Sequence, residues 1–187
     1  MNETIALLRK RRSVAPHLLM EPGPTAEEIE TLLTIASRVP DHGRLTPWRF
    51  IVIGREAGRR IGETIAAAFQ ADNPGASPET VEFEKNRLAR APLVVGVVSR
   101  AAPHVKIPDW EQVMSAGAAA MTLVIAANAM GFATSWITEW YAFDRRVLDV
   151  LGLDPAERMA GFVHIGRAKE PSVERPRPAL ADVVTRL

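Results

Sequence analysis

The chain contains no cysteine. That excludes disulfides, zinc–thiolate sites and cysteine nucleophiles, and it agrees with a reducing, cytoplasmic setting. Excess charge of either sign is also lacking: 23 Lys+Arg against 22 Asp+Glu leave a formal net charge of +1. A polyanion such as nucleic acid is therefore not an expected partner. No uninterrupted apolar run reaches the roughly 18–20 residues of a membrane span. The opening "MNETIALLRKRRS" places its charges after the apolar part, the reverse of a secretory signal.

Several catalytic signatures are absent as well. There is no GxGxxG after a strand, no GxxxxGK[ST], no HExxH and no GxSxG. His17, His42, His104 and His164 lack metal-ligand spacing, so no metal site is expected. A nucleotide fold of the common kinds and a serine hydrolase are equally unsupported.

At 187 residues and 47% apolar content, the chain reads as a single domain, 1–187. Residues 2–12 read as a short helix. "TAEEIETLLTIASR" opens with Thr25 and Glu28 in capping-box spacing, followed by the stripe Ile29, Leu32, Leu33 and Ala36. "RFIVIG" (49–54) reads as a strand, and "AGRRIGETIAAAFQ" as a helix with Ile61, Ile65 and Phe69 on one face. "ADNPGASPE" (71–79) reads as a mobile loop before a helix over about 79–89. "PLVVGVVS" (92–99) is apolar throughout, as a strand buried on both faces requires.

The longest helix is predicted over 111–130, apolar all round and so packed on all sides. "FATSWI" and "MAGFVHIG" (159–166) read as strands. Between them "DRRVLDVLG" reads as a helix capped by Asp144 and stopped by Gly152. The tail from Arg167 carries Pro171, Pro176 and Pro178 and cannot form a compact element alone. It is expected to run extended over another surface. Scattered strands outnumbered by helices give an α+β class with one central sheet.

Five short segments can carry chemistry. "KRRS" (10–13) either grips a phosphate by forked, charge-assisted hydrogen bonds, or is a solvated basic helix end, or contacts nucleic acid. "PDHGRLTPWRF" (40–50) holds Trp48, read as a core anchor, and a His42 that packing alone does not explain. "HVKIPDWEQ" (104–112) places Trp110 at a helix start, where it is expected to pack beneath the first turn. "GFATSWITEW" puts Trp136 and Trp140 at a strand end, and Arg167 ends another strand, where it reaches an anion or faces water. Basic and hydroxyl groups beside flat aromatics, without a covalent nucleophile, suit a tightly held cofactor that does the chemistry itself.

"RRSV" (11–14), "PDHGRLTPWRF", "KIPDWEQVMSAGAAAMTLVIAANAMGF" (106–132) and "GFVHIG" (161–166) together resemble the nitroreductase family, in its short bacterial NAD(P)H-dependent branch. The resemblance runs in order along almost the whole chain. It implies an α+β fold with a central, mostly antiparallel sheet flanked by helices, and a C-terminal tail crossing to a dimer partner. It also implies an intertwined homodimer with two FMN molecules at the subunit interface.

By position, the resemblance assigns Arg11, Arg12 and Ser13 to the FMN phosphate and ribityl chain. It makes Arg38 and His42 flavin contacts, at least one reaching the partner's flavin. Trp136, Ile137 and Thr138 would line the cofactor, and Gly166 with Arg167 would supply a C-terminal phosphate contact. The segment Ala126, Ala127, Asn128, Ala129, Met130 and Gly131 would meet the nicotinamide nucleotide. One departure stands out: many relatives carry a basic residue near flavin N1 and O2, where this chain has Ala15. Arg38, His42 or a backbone N–H would then have to stabilise the reduced flavin.

The implied reaction is ping-pong: NADH or NADPH gives hydride to the bound flavin, and an electron-poor nitroaromatic or quinone then takes it. No catalytic side chain is implied, only well-placed donors. Reductive dehalogenation, oxygen-dependent dehydrogenation and non-enzymatic flavin binding remain open on the same fold.

Overall fold

The computed structural model describes residues 2–187. In chain order the elements are α1 (Glu3–Lys10), β1 (Leu19–Met20), α2 (Ala26–Ala36), β2 (Trp48–Gly54), α3 (Arg55–Asp72) and α4 (Pro78–Lys85). They continue as β3 (Leu93–Ser99), α5 (Asp109–Ala129), β4 (Ala133–Ile137), α6 (Arg145–Val150), β5 (Arg158–Ala168) and α7 (Leu180–Val183). Local chemistry sets the helix starts. The Asn2 side chain accepts from the Thr4 and Ile5 amides, and both arms of the Thr25–Glu28 capping box form. Asp144 caps α6, and Gly152 beyond its end adopts φ 71°, a left-handed conformation that suits glycine.

All strand pairings in the five-stranded sheet are antiparallel. Val163 of β5 pairs with Val95 of β3 on one side and Trp136 of β4 on the other, so the order is β2–β3–β5–β4. The two residues of β1 pair with Arg167 and Ala168 at the end of β5.

The alternation of β3 explains its unbroken apolar sequence. Leu93, Val95 and Val97 point into a core with Leu32 and Ala36 of α2 and Ala120, Leu123 and Ala127 of α5. Val94 and Val98 point the other way, into a second core with Ile65 of α3, Val147 and Leu148 of α6, Tyr141 and Phe162. Each fully buried Val, Leu or Phe contributes about 1.5–3 kcal/mol. The expected α+β architecture is therefore present, with helices on both faces of one sheet.

His164 is fully buried in β5, and neither ring nitrogen has a hydrogen-bond partner among the described residues. Burial, then the nearby charge of Arg90, pushes its pKa down to about 3, so the ring is neutral.

Five expectations need correction. Helix α3 runs on to Asp72, which shortens the connection before α4 to residues 73–77, and α4 ends at Lys85 rather than near 89. Helix α5 is not packed on all sides: Trp110, Val113 and Met114 lie exposed on one stripe while Ala116, Ala119, Ala120 and Leu123 are buried on the other. Trp110 does not pack beneath the helix start but is 70% exposed. Finally, α5 does have the length and apolarity of a membrane span, but half of that stretch is buried against the sheet and α2.

Candidate functional site

Three groups of residues converge on the segments singled out in the sequence. The first is the loop between α2 and β2. Trp48 is buried at the start of β2, and its indole N–H donates to Ser115 Oγ at 3.2 Å. Ser115 in turn donates to the Pro40 carbonyl at 2.6 Å, tying the loop to α5. Asp41 accepts from the Leu45 and Thr46 amides, both at 2.9 Å. Gly43, Arg44 and Thr46 all have positive φ, and a Cβ on Gly43 would meet Ile107 Cδ1 at 2.5 Å. Left-handed backbone at a non-glycine residue costs about 1–2 kcal/mol, so these contacts hold a strained loop in one shape.

His42 emerges from that loop, 62% exposed, with its Nδ1 2.7 Å from Glu111 Oε2. Pro40, His42, Trp110, Glu111, Met114, Ser115 and Ala118 line a largely apolar cavity of about 350 Å³.

The second group is basic. Arg11, Arg12 and Ser13 follow α1, and the tail returns to place Val173, Arg175 and Arg177 opposite them around a cavity of about 80 Å³. Four guanidiniums here face one carboxylate, that of Glu174, which pairs with Arg12 and lies 4.0 Å from Arg177. Arg12 donates from Nη1 to the Arg9 and Arg11 carbonyls, while its buried Nε has no partner among the described residues. Burial, followed by the charges of Arg177, Arg11 and Arg175, lowers the Arg12 pKa. Such a cluster is a site for a multiply charged anion.

The third group lies at the end of β4, beside the second. Ser13 bridges to Thr134 in parallel, and the Val14 amide donates to the Thr134 carbonyl at 2.9 Å. Two residues on, the Trp136 indole N–H donates to the Ala160 carbonyl and seats against Gly161. A Cβ on Gly161 would sit 2.2 Å from Trp136 Nε1, and its φ is 148°. Ile137 is half-buried and Thr138 exposed. The next residue, Glu139, accepts from Arg87 at 2.6 Å, Arg90 at 2.5 Å and the Tyr141 hydroxyl at 2.7 Å, which anchors the strand end. Burial, then the Glu139 charge, raises the Tyr141 pKa and keeps that hydroxyl a donor.

A family profile described as the Nitroreductase family matches residues 8–167. The chain belongs to the nitroreductase family. It is 33% identical to the Escherichia coli K12 protein named "Putative NAD(P)H nitroreductase YdjA" over 164 residues, 88% of this chain and 87% of that one. A nitroreductase-like family protein from Bacillus cereus superposes with a TM-score of 0.87 at 16% identity, covering 100% and 97% of the two chains. The FMN- and NADPH-dependent nitroreductase NfnB of a Sphigopyxis strain, in the form of a single-residue variant, superposes at 0.78 with 19% identity and 98% coverage of each.

Within this member of the nitroreductase family, the residues expected to act together fall into separate neighbourhoods. Arg11, Arg12 and Ser13 share the basic cavity and adjoin the strand of Trp136, Ile137 and Thr138, whereas His42 lies against the N-terminal half of α5. Arg38 is exposed just past α2. Arg167 is not in the basic cavity; it donates to the Gly131 carbonyl at 2.7 Å and stacks over Phe132. Gly166 has a packing role, since a Cβ there would meet Pro92 Cδ at 2.9 Å and the Met20 carbonyl at 3.0 Å.

The segment expected to meet the nicotinamide is mostly core and helix end. Ala126 and Ala127 are buried and unavailable to a ligand, and Met130 packs on the same core. Asn128 donates to Thr134 Oγ1, Ala129 is the last residue of α5, and Gly131 (φ 80°) turns the chain into β4. Sequence reading missed Arg175 and Arg177 as partners of Arg11 and Arg12. The signal was "ERPRP": prolines hold the chain extended, which sets arginines two apart on one side.

Proposed function

We propose that this protein is an FMN-dependent oxidoreductase acting as a homodimer, taking hydride from NADH or NADPH and passing it to an electron-poor nitroaromatic or quinone by ping-pong. The observation that carries the reading is the four-arginine cavity with the orphaned Arg12 Nε. An FMN phosphate would satisfy that donor and offset the guanidinium repulsion. The names of the YdjA relative and of NfnB support the same cofactor and donor.

In this reading Arg11, Arg12, Ser13, Arg175 and Arg177 hold the phosphate, and Trp136, Ile137 and Thr138 border the ring system. Arg38 and His42 reach the flavin of the partner subunit, which accounts for their separate place within one chain. Val113 on α5, Ile5 and Leu8 on α1 and the exposed tail supply the surface that a second copy would cover. Bound FMN supplies the hydride transfer, and the protein supplies its grip, orientation and donors for developing negative charge.

The deciding experiment is an absorption spectrum of the purified protein. A yellow protein bleached anaerobically by NADH or NADPH is expected. A colourless protein that added FMN does not stabilise would overturn the proposal.

A further inference from the structure

Reduction of a quinone to a hydroquinone needs two electrons and two protons. Hydride delivers both electrons and one proton, so a second proton must reach a quinone oxygen from another group. The sequence offers no such acid by motif, and the family resemblance assigns none. The geometry points to one: we infer that His42, oriented by Glu111, delivers the second proton to the acceptor. The inference rests on the oxidoreductase reading above and adds a catalytic residue to it.

Three observations carry it. The first is the pair itself: Glu111 Oε2 holds His42 Nδ1 at 2.7 Å, while Nε2 makes no hydrogen bond among the described residues. A carboxylate on one ring nitrogen fixes the tautomer and leaves the other nitrogen to exchange a proton. The second is location, because His42 lines the 350 Å³ cavity whose other walls are mainly Pro40, Trp110, Met114 and Ala118. That cavity suits a flat apolar ring, and the His42–Glu111 pair is its titratable edge.

The third observation is rigidity. The chain from Trp48 through Ser115 to Pro40 pins the loop from below, and the Asp41 cap and the positive φ values of Gly43, Arg44 and Thr46 fix it from within. A strained backbone held by so many contacts is a mark of a functional position rather than of a connection.

The charged groups facing the imidazole are Glu111 from α5 and Asp41 from its own loop; Pro47, Ile107, Gln112 and Ser115 complete the smaller cavity beside it. Both Asp41 oxygens are committed to backbone amides, which leaves Glu111 as the partner. In the step, the Nε2–H bond of imidazolium breaks and an O–H bond forms on the acceptor as hydride arrives. His42 is left neutral, with Nδ1–H still on Glu111, and Nε2 regains a proton from water.

The test uses anaerobic stopped-flow on the FMN-loaded protein with 1,4-benzoquinone, at several pH values between 5.5 and 8. Flavin reoxidation in the native protein should slow as pH rises across this interval, and His42→Gln should be pH-independent and about a hundredfold slower at pH 6. The loss should exceed any loss in the NADPH half-reaction of the same variant, with rates normalised to bound flavin. Independently of flavin, long-range ¹H–¹⁵N NMR at pH 8 should show the Nδ1–H tautomer of His42, lost in Glu111→Gln. A His42→Gln protein that keeps the native pH dependence, equal losses in both half-reactions, or an Nε2–H tautomer would each overturn the inference. A protein that takes up no FMN overturns the oxidoreductase reading itself.

Discussion

Ser115 and Pro40, 75 positions apart, are joined by a hydroxyl-to-carbonyl hydrogen bond of 2.6 Å, and the same hydroxyl accepts the indole N–H of buried Trp48. One small side chain on α5 thus fixes both the strand start and the loop that carries His42. Removing it leaves a buried indole N–H and a carbonyl unpaired.

Ser115→Ala should therefore destabilise the protein by about 1–3 kcal/mol, the cost of unsatisfied buried groups. Urea denaturation measures that directly. The Trp48 contribution to fluorescence should change as well, and unaltered stability would show that the bridge is dispensable.

Arg175→Ala and Arg177→Ala should act with opposite sign in the free and flavin-bound protein. Without an anion each change relieves repulsion with Arg11 and Arg12, so melting should be unchanged or slightly higher. With FMN, loss of a charged hydrogen bond of about 1.5–3 kcal/mol should weaken affinity about ten- to hundredfold. Titration by flavin fluorescence and paired melting curves read both effects.

Stability should fall with acidification through His164. Its folded pKa of about 3 lies below the ordinary 6.5, so between these values the unfolded chain binds a proton that the native chain does not. The contribution is complete above about pH 6.5 and declines below it, by at most about 1.4 kcal/mol per pH unit. His164→Leu should flatten that dependence. Denaturation at pH 5 and pH 7.5 compares the two proteins.

Val113→Glu places a charge on the exposed stripe of α5 without touching either core or the cavity beside His42. If a second copy covers that face, the variant should shift toward monomer in sedimentation and lose FMN together with it. A variant that stays dimeric with full flavin would locate the interface elsewhere.

The sequence was most legible where periodicity and capping act locally. Thr25–Glu28, Asp144 and the unbroken apolar run of β3 each announce one element through one physical rule. Composition misled at α5, because an all-round apolar helix can be covered by its own fold or can leave a stripe open, and the pattern is the same in both cases. Site residues linked across long separations were not legible. His42 and Glu111 lie 69 positions apart, and the meeting of Arg12 with Arg175 and Arg177 depends on the path of a tail that has no periodicity.

The alternation of β3 has a mechanical meaning. Its odd-numbered residues bind the layer of α2 and α5, which carries the His42 loop, and Val94 and Val98 bind the layer of α3 and α6, which packs beside Tyr141 and the Glu139 anchor. Neither layer can peel away without stripping alternate residues from one continuous strand. Loop and strand end, built on opposite sides of the sheet, are in this way hung from a single beam.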